Sequence, residues 1–293
     1  MLTNSVRIVG YLLVMLFAVA YGATAETLEK IRSRGVIEIA VYERFVPYSS
    51  EVKGAAHGVD VEIGRALAKK LGLQPRFRLF QADESASDDL RNQVWKGHHL
   101  GGAAADVMLH APVDPNFAKE NEQAKILAPY FRETIAVARY PRLKKAISVD
   151  QLEEEKIGAE KLTLASDYLA AAMGGRLRES MVLFPNIPEA IEAMRQGKVA
   201  AVMGPRGELE GHLGADLSKF HVSSMILPGL PYDGWDVGVA VKAKHTELAE
   251  AVEQAMAKLH GEGAFQRIFE AQGLTYHPPS VRKLSTSDAD GKP

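Results

Sequence analysis

From residue 35 onward the chain alternates two patterns of apolar positions. "GVIEIAVY" sets Val36, Ile37, Ile39 and Val41 in a short β-rich run that ends at Tyr42. "GVDVEIGRALAKKLGL" then spaces Val59, Ile63, Leu67 and Leu71 four apart and stops at Gly72. The first reads as a strand and the second as an amphipathic helix. "PRFRLF" reads as the next strand, "DDLRNQVWKG" as a helix closed by Gly97, and "ADVML" as a third strand. Strands separated by helices pair in parallel through crossover connections, which predicts an α/β fold.

The second half repeats the plan. "EKIGAE" is a strand, "LASDYLAAAM" a helix with Ser166 as its expected N-cap, and "MVLFP" a strand. "NIPEAIEAMRQGK" is a helix with Pro188 in its first turn and Gly197 at its end, followed by the strand "VAAVMG". Later, "WDVGVAVK" is a strand, and Leu248, Val252, Met256 and Leu259 give the helix after it one apolar face. "FQRIFEAQGL" forms a short terminal helix.

This repetition predicts two related lobes: residues 26–138 with 241–278 as lobe I and 139–240 as lobe II, followed by a disordered tail at 279–293. The change of lobe falls near "VARYPRLKKAISVDQL". A chain that leaves lobe I and returns makes two crossings, hence a two-strand hinge beside a cleft. In open α/β sheets ligands settle beyond the carboxyl ends of strands, and two such surfaces can close on a small molecule.

Composition narrows the class. Arg7 precedes an apolar run from Ile8 to Ala20 and the small-residue stretch "GATA", so residues 1–25 read as a cleaved secretory signal peptide. The run is short of the roughly 18 residues that a spanning helix needs. Removing Arg7 takes the formal charge from −2 to −3, and basic residues never cluster, so nucleic acid is not an expected partner. The absence of cysteine excludes disulfides, thiolate metal sites, a thiol nucleophile and a lipid anchor carried on cysteine. The expected protein is periplasmic, with nothing against a monomer.

Several stretches resemble, in order and spacing, the family 3 periplasmic solute-binding proteins that serve ABC importers: "LEKIRSRGVIEIAVYERFVPYS", "GVDVEIGRALAKKLG", "APYFRETIAVA", "AIEAMRQGKVAAVMG" and "VGVAVKAKHTELAEAVEQAMAKL". The resemblance runs from Thr27 to about Leu274 and implies a two-lobe periplasmic-binding-protein-like (type II) fold, a polar amino acid or similar small solute, and an ABC permease as partner. It implies an aromatic wall, matched by Tyr42 and Tyr48. Its "G-M-T-I-T-x-x-R" stretch, whose arginine grips the ligand carboxylate, is matched by "HAPVDPNF", which has no arginine. Its aspartate for the ligand amino group is matched by Gly204, followed by Pro205 and Arg206, and its "G-T-T-S" turn by "LTLA", which keeps Thr163. "DVMLHAP", "APYFRE" and "VMGPRGEL" are similar to a branch found beside pyrroloquinoline-quinone-dependent alcohol dehydrogenases, which implies an accessory role toward a periplasmic dehydrogenase and its cytochrome. The extra Gly and Ala in "HHLGGAAA", between Gly97 and Asp106, suggest an added loop suited to docking or merely tolerated.

The candidate residues carry competing roles. His110 and Asp114, with His98 and His99 upstream, offer metal-type ligands, but no H-x-H or H-x-x-x-H pair fixes two on one element. A ligand-bonding His110 and an Asx turn at Asp114 are therefore expected instead. Asp106, His110 and Glu133 offer acid and base groups, but no nucleophile signature or phosphate loop accompanies them, so a cleft enzyme such as a dehydratase is the least favoured reading. Tyr42, Tyr48, Tyr232 and Trp235 suit stacking on a ligand or packing between lobes. Arg132 and Arg206 suit an anionic group or a solvated surface. The expected ligand set is Tyr42, Tyr48, His110, Arg132, Thr163, Gly204, Arg206 and Trp235, with no catalytic residue, metal or cofactor. The expected function is capture of a small polar solute, of amino acid or organic acid type.

Overall fold

The computed structural model describes residues 22–98, 102–230 and 234–280. The apolar run of the expected signal peptide, His99 and Tyr232 lie outside them.

In chain order the elements begin with α1 (Gly22–Arg34), β1 (Val36–Tyr42), β2 (Arg44–Phe45), β3 (Ser49–Val52) and β4 (Ala55–His57). Next come α2 (Val59–Leu71), β5 (Gln74–Phe80) and α3 (Ala86–Leu90), which runs on as one π turn to Trp95. They are followed by β6 (Val107–Pro112), α4 (Pro115–Glu120), β7 (Ala124–Arg139), β8 (Ile157–Glu160), α5 (Leu164–Gly175) and β9 (Met181–Phe184). The rest are α6 (Ile187–Arg195), β10 (Ala201–Pro205), α7 (Arg206–Leu213), β11 (His221–Ser223), β12 (Gly234–Lys242), α8 (Thr246–Gly261) and α9 (Ala264–Ala271).

The main sheet runs β5-β1-β6-β12-β7-β10-β8-β9, with β11 on β7. Its two halves meet along β7. Residues 124–134 of this strand pair antiparallel with β12, while Ile135 to Arg139 pair with β10. The return path runs beside it: His221–Ser223 pair with Arg139–Val137, and pairing resumes at Gly234 opposite Thr134. Two antiparallel passes therefore join the halves. The sequence reading put the return at residue 240, but β12 pairs with β6 and β7 over its whole length. The strand pattern there is continuous, so the crossing belongs before Gly234.

Each half has its own core. Ile37, Ile39, Val59, Ile63 and Leu67 pack with Leu248, Val252, Met256, Phe265 and Phe269, so α8 and α9 cover the first half. Val137, Ile157, Leu169 and Met203 form one core of the second. Trp235 packs against both cores at the junction.

One local expectation changes. The N-cap of α5 is Thr163, whose hydroxyl accepts from Ser166 N, while Ser166 bonds back to the Thr163 N–H in a capping box. Asp114 makes the expected Asx turn by accepting from the Asn116 N–H, and it also accepts from the Phe117 N–H and so caps α4. Of the expected tail, residues 281–293 lie outside the described residues; at its start Ser280 donates to Asp236 and accepts from Arg132.

Candidate functional site

A cavity of about 610 Å3 opens where the two halves face each other. Most of its wall comes from the first half: the end of β1, the β1–β2 turn, the β5–α3 loop and the end of β6. The second half contributes Pro205 and Glu208, at the start of α7, and Trp235 and Val237 of β12 close the hinge side.

Three aromatic side chains pave one wall. Tyr42 packs on Phe80 with centroids 4.6 Å apart and meets Phe45 edge-on at 5.5 Å. Trp235 lines the cavity as well. These rings offer a flat apolar surface beside the carboxyl groups of the other walls.

His110 stands at the base. Its backbone has φ 62, the left-handed region, and its N–H donates to the Tyr130 hydroxyl at 2.9 Å. Nδ1 lies 3.0 Å from Asp60 Oδ2, and the Tyr130 hydroxyl donates to Asp60 Oδ1 at 2.7 Å. The ring is boxed by Phe45 and Tyr48, with centroids 4.8 and 4.4 Å away. A histidine that is 8% exposed and bonded from behind is a fixed part of the floor.

Carboxyl groups dominate the polar lining. Asp89 accepts from the Tyr42 hydroxyl and the Asp83 N–H, both at 2.8 Å, and its burial pushes its pKa up. Glu133 on β7 accepts from Tyr48, from the Thr134 N–H at 2.8 Å and from the Gly207 N–H at 3.3 Å. Burial again raises its pKa. Glu208 is half-buried on α7, and desolvation followed by repulsion from Glu133 and Glu160 pushes its pKa up to about 8. Tyr48, fully buried, has its hydroxyl pKa raised well above the usual value, chiefly by burial.

The expected ligand residues divide. Tyr42, His110 and Trp235 line the cavity. Tyr48 lies behind His110 as a support for Glu133. Arg132 faces Asp236, Ser280 and the Gly234 carbonyl. Arg206 is bonded to Glu210 at 3.0 Å. Thr163 is spent on the α5 cap, and Gly204 sits in β10, where an added Cβ would come 2.7 Å from Ile187. Phe117, at the arginine's place in the family pattern, packs on the first half's second core. Asp106 accepts from Arg34 and from the Glu38 N–H, away from Glu133 and outside the cavity lining. Among the described residues no group of three or more His, Asp or Glu is placed to hold a metal ion.

The sequence reading missed Phe45, Phe80, Asp89 and Glu208. The aromatics had a usable signal, since Phe80 ends the strand "PRFRLF" and Phe45 stands three residues beyond Tyr42. Glu208 had none, because either of the two acidic residues in "RGELEG" looks like an ordinary solvated position.

No family model matches the chain. It is 22% identical over 248 residues to the L-cystine-binding protein TcyJ of Escherichia coli K12, covering 83% of this chain and 84% of that protein. It is 22% identical over 234 residues to a putative ABC transporter arginine-binding protein 2 of the same strain, covering 80% and 88%. Among solved structures it resembles an ancestral cationic amino acid solute-binding protein, with a TM-score of 0.66 at 18% identity over 84% of this chain and 99% of the other. It also resembles an amino acid ABC transporter substrate-binding protein of Streptococcus pneumoniae bound to L-arginine, with a TM-score of 0.58 at 21% identity over 85% and 99%. A third neighbour is an ancestral amino-acid-binding protein described as a precursor of cyclohexadienyl dehydratase, with a TM-score of 0.57 at 18% identity over 84% and 98%. The chain is thus similar to amino-acid solute-binding proteins of ABC transporters, and it has their two-lobe α/β fold.

Proposed function

We propose that this chain is a periplasmic solute-binding protein that captures a small polar solute for an ABC importer, acting as a monomer without catalysis. The observation that carries this reading is the cavity itself. Its wall is shared by both halves of the sheet, so a molecule inside it touches both and favours the arrangement that encloses it. Tyr42, His110, Trp235, Asp89, Glu133 and Glu208 are the proposed contact residues, and the importer would read the enclosed form.

A screen of amino acids, organic acids and amines by thermal unfolding tests the reading. A solute that binds only the folded chain raises its stability by about 2.7 kcal/mol at a hundred times its Kd. The expected result is at least one solute whose effect on Tm grows with its concentration.

A second reading is favoured by Phe117 and Gly204, which replace both polar groups of the family's amino-acid clamp. On this reading the chain assists a periplasmic quinoprotein dehydrogenase and its cytochrome through its outer surface. A blank screen together with co-purification of such a dehydrogenase or cytochrome supports this second role against the first.

A further inference from the structure

The cleft's charge is one-sided in a way that solute capture alone does not require. Its described lining includes the carboxyl groups of Glu43, Asp83, Glu84, Asp89, Glu133 and Glu208. The one arginine there, Arg44, has a side chain that is 80% exposed and stands 4.0 Å from Glu43. No lysine lines the described cavity.

The backbone offers no better berth for an anion. The start of α7 faces the cavity, and a helix N-terminus is the usual place for a carboxylate. Here the Gly207 N–H is already bonded to the chain's own Glu133, and the Thr134 N–H holds the same oxygen. The berth is filled from within.

Glu208 faces the opposite situation. It lines the cavity from the second half, and its principal electrostatic neighbours are two further carboxyl groups, Glu133 on β7 and Glu160 at the end of β8. Across the same space stand Tyr42, Phe45 and Phe80, whose ring faces attract cations. A carboxyl on one side and aromatic faces on the other form a receptor for positive charge on an apolar body.

Resting on the solute-capture reading, we infer that the cleft takes an organic cation without a carboxylate: an amine or guanidine with an apolar or aromatic body, held between Glu208 and the Tyr42, Phe45 and Phe80 rings. A zwitterionic amino acid would bring a carboxylate into a space whose one lining arginine, Arg44, is 80% exposed and stands beside Glu43. Burial of that charge without a partner is unfavourable.

Proton linkage gives this ligand class its own signature. The groups around Glu208 are Glu133 from β7, Glu160 from β8, Tyr48 from the turn between β2 and β3 and His110 from β6, with Arg206 and Glu210 on its own helix. With its pKa raised to about 8, Glu208 is mostly protonated at pH 7 in the free protein. A cation beside it favours the carboxylate, lowers that pKa and expels the proton. Affinity therefore rises as the pH climbs toward about 8 and levels off above it.

The experiment is calorimetric titration of the protein with matched pairs that differ only by the carboxylate: agmatine and arginine, cadaverine and lysine, tyramine and tyrosine. The expected result is that in at least one pair the amine binds roughly tenfold or more tighter than its amino acid. Its binding should release protons at pH 7, judged from two buffers of different ionisation heat. Glu208→Gln should abolish that proton release and weaken the amine by a similar factor, with the thermal midpoint of the unliganded variant reporting whether it is folded. Tighter binding of the amino acids overturns this inference and leaves solute capture standing. An amine that binds without proton release and without loss in Glu208→Gln also overturns it. Binding of neither member of any pair overturns the inference, and if organic acids and neutral solutes are blank too, solute capture falls with it.

Discussion

Replacing Asp60 with alanine is expected to lower the unfolding free energy by about 2–5 kcal/mol, the cost of stranding two buried polar partners. Asp60 lies in the first turn of α2 and is 1% exposed. Its two oxygens face the Tyr130 hydroxyl at 2.7 Å and His110 Nδ1 at 3.0 Å. Truncation strands both groups in the interior, and each unsatisfied polar group costs about 1–3 kcal/mol. The carboxylate also sits near the start of a helix, where negative charge is favoured. Asp60→Asn should cost less, because the amide keeps one acceptor for Tyr130 and offers donors toward His110. Urea unfolding with the slope held constant reads both values. A loss below about 1 kcal/mol for the alanine variant would mean that the network beneath the cavity does not hold its floor.

The second large effect belongs to Gly207. A Cβ there would lie 2.0 Å from the Tyr48 hydroxyl oxygen and 2.8 Å from the ring carbon that bears it. Tyr48 has no room to yield, being fully buried between Phe45, His110 and Phe131. One turn later on α7, a Cβ on Gly211 would come 2.8 Å from Pro47. The two glycines let α7 of the second half lie directly on the Pro47–Tyr48 loop of the first. Gly207→Ala should therefore cost about 1–3 kcal/mol by overpacking. It should also weaken solute binding, because Glu133 reaches the cavity through the same contact. Tyr48→Phe removes the clashing oxygen, so the double variant should be more stable than the sum of the two single effects predicts. Strict additivity would show that the two side chains do not meet.

These two sites also show what the linear pattern reveals and what it hides. The helices α2, α6 and α8 were legible because each buries one apolar stripe of helical period, and β1, β6, β10 and β12 because their apolar runs are bounded by turns or helices. The helix α7 was not, because "RGELEGHL" carries the two glycines that weaken helix propensity. Those glycines are explained only by Tyr48 and Pro47, residues about 160 positions earlier in the chain. The hairpins of β2, β3 and β4 escaped because strands of two to four residues carry too little alternation.

At the site, His110 was legible because it directly follows the apolar run "VML" of β6. Its φ of 62 lies in the left-handed region that favours glycine. Tyr42 and Trp235 were legible as aromatics at strand ends. Thr163, Arg132 and Arg206 attracted attention by residue type, but Thr163 caps a helix, Arg132 bonds Asp236, and Arg206 bonds Glu210 through Nη1. Asp89 and Glu208 come from separate helices, so only the fold brings them to one cavity.

The central claim, that a solute is held between the halves of the sheet, can be read from one side chain. The chain has two tryptophans, Trp95 and Trp235, and Trp235 lines the cavity where both cores meet. In a Trp95→Phe variant, titration with a solute that raises Tm should change the Trp235 emission saturably, with the same Kd as calorimetry. Tight binding that leaves Trp235 emission untouched would place the solute elsewhere and contradict the account.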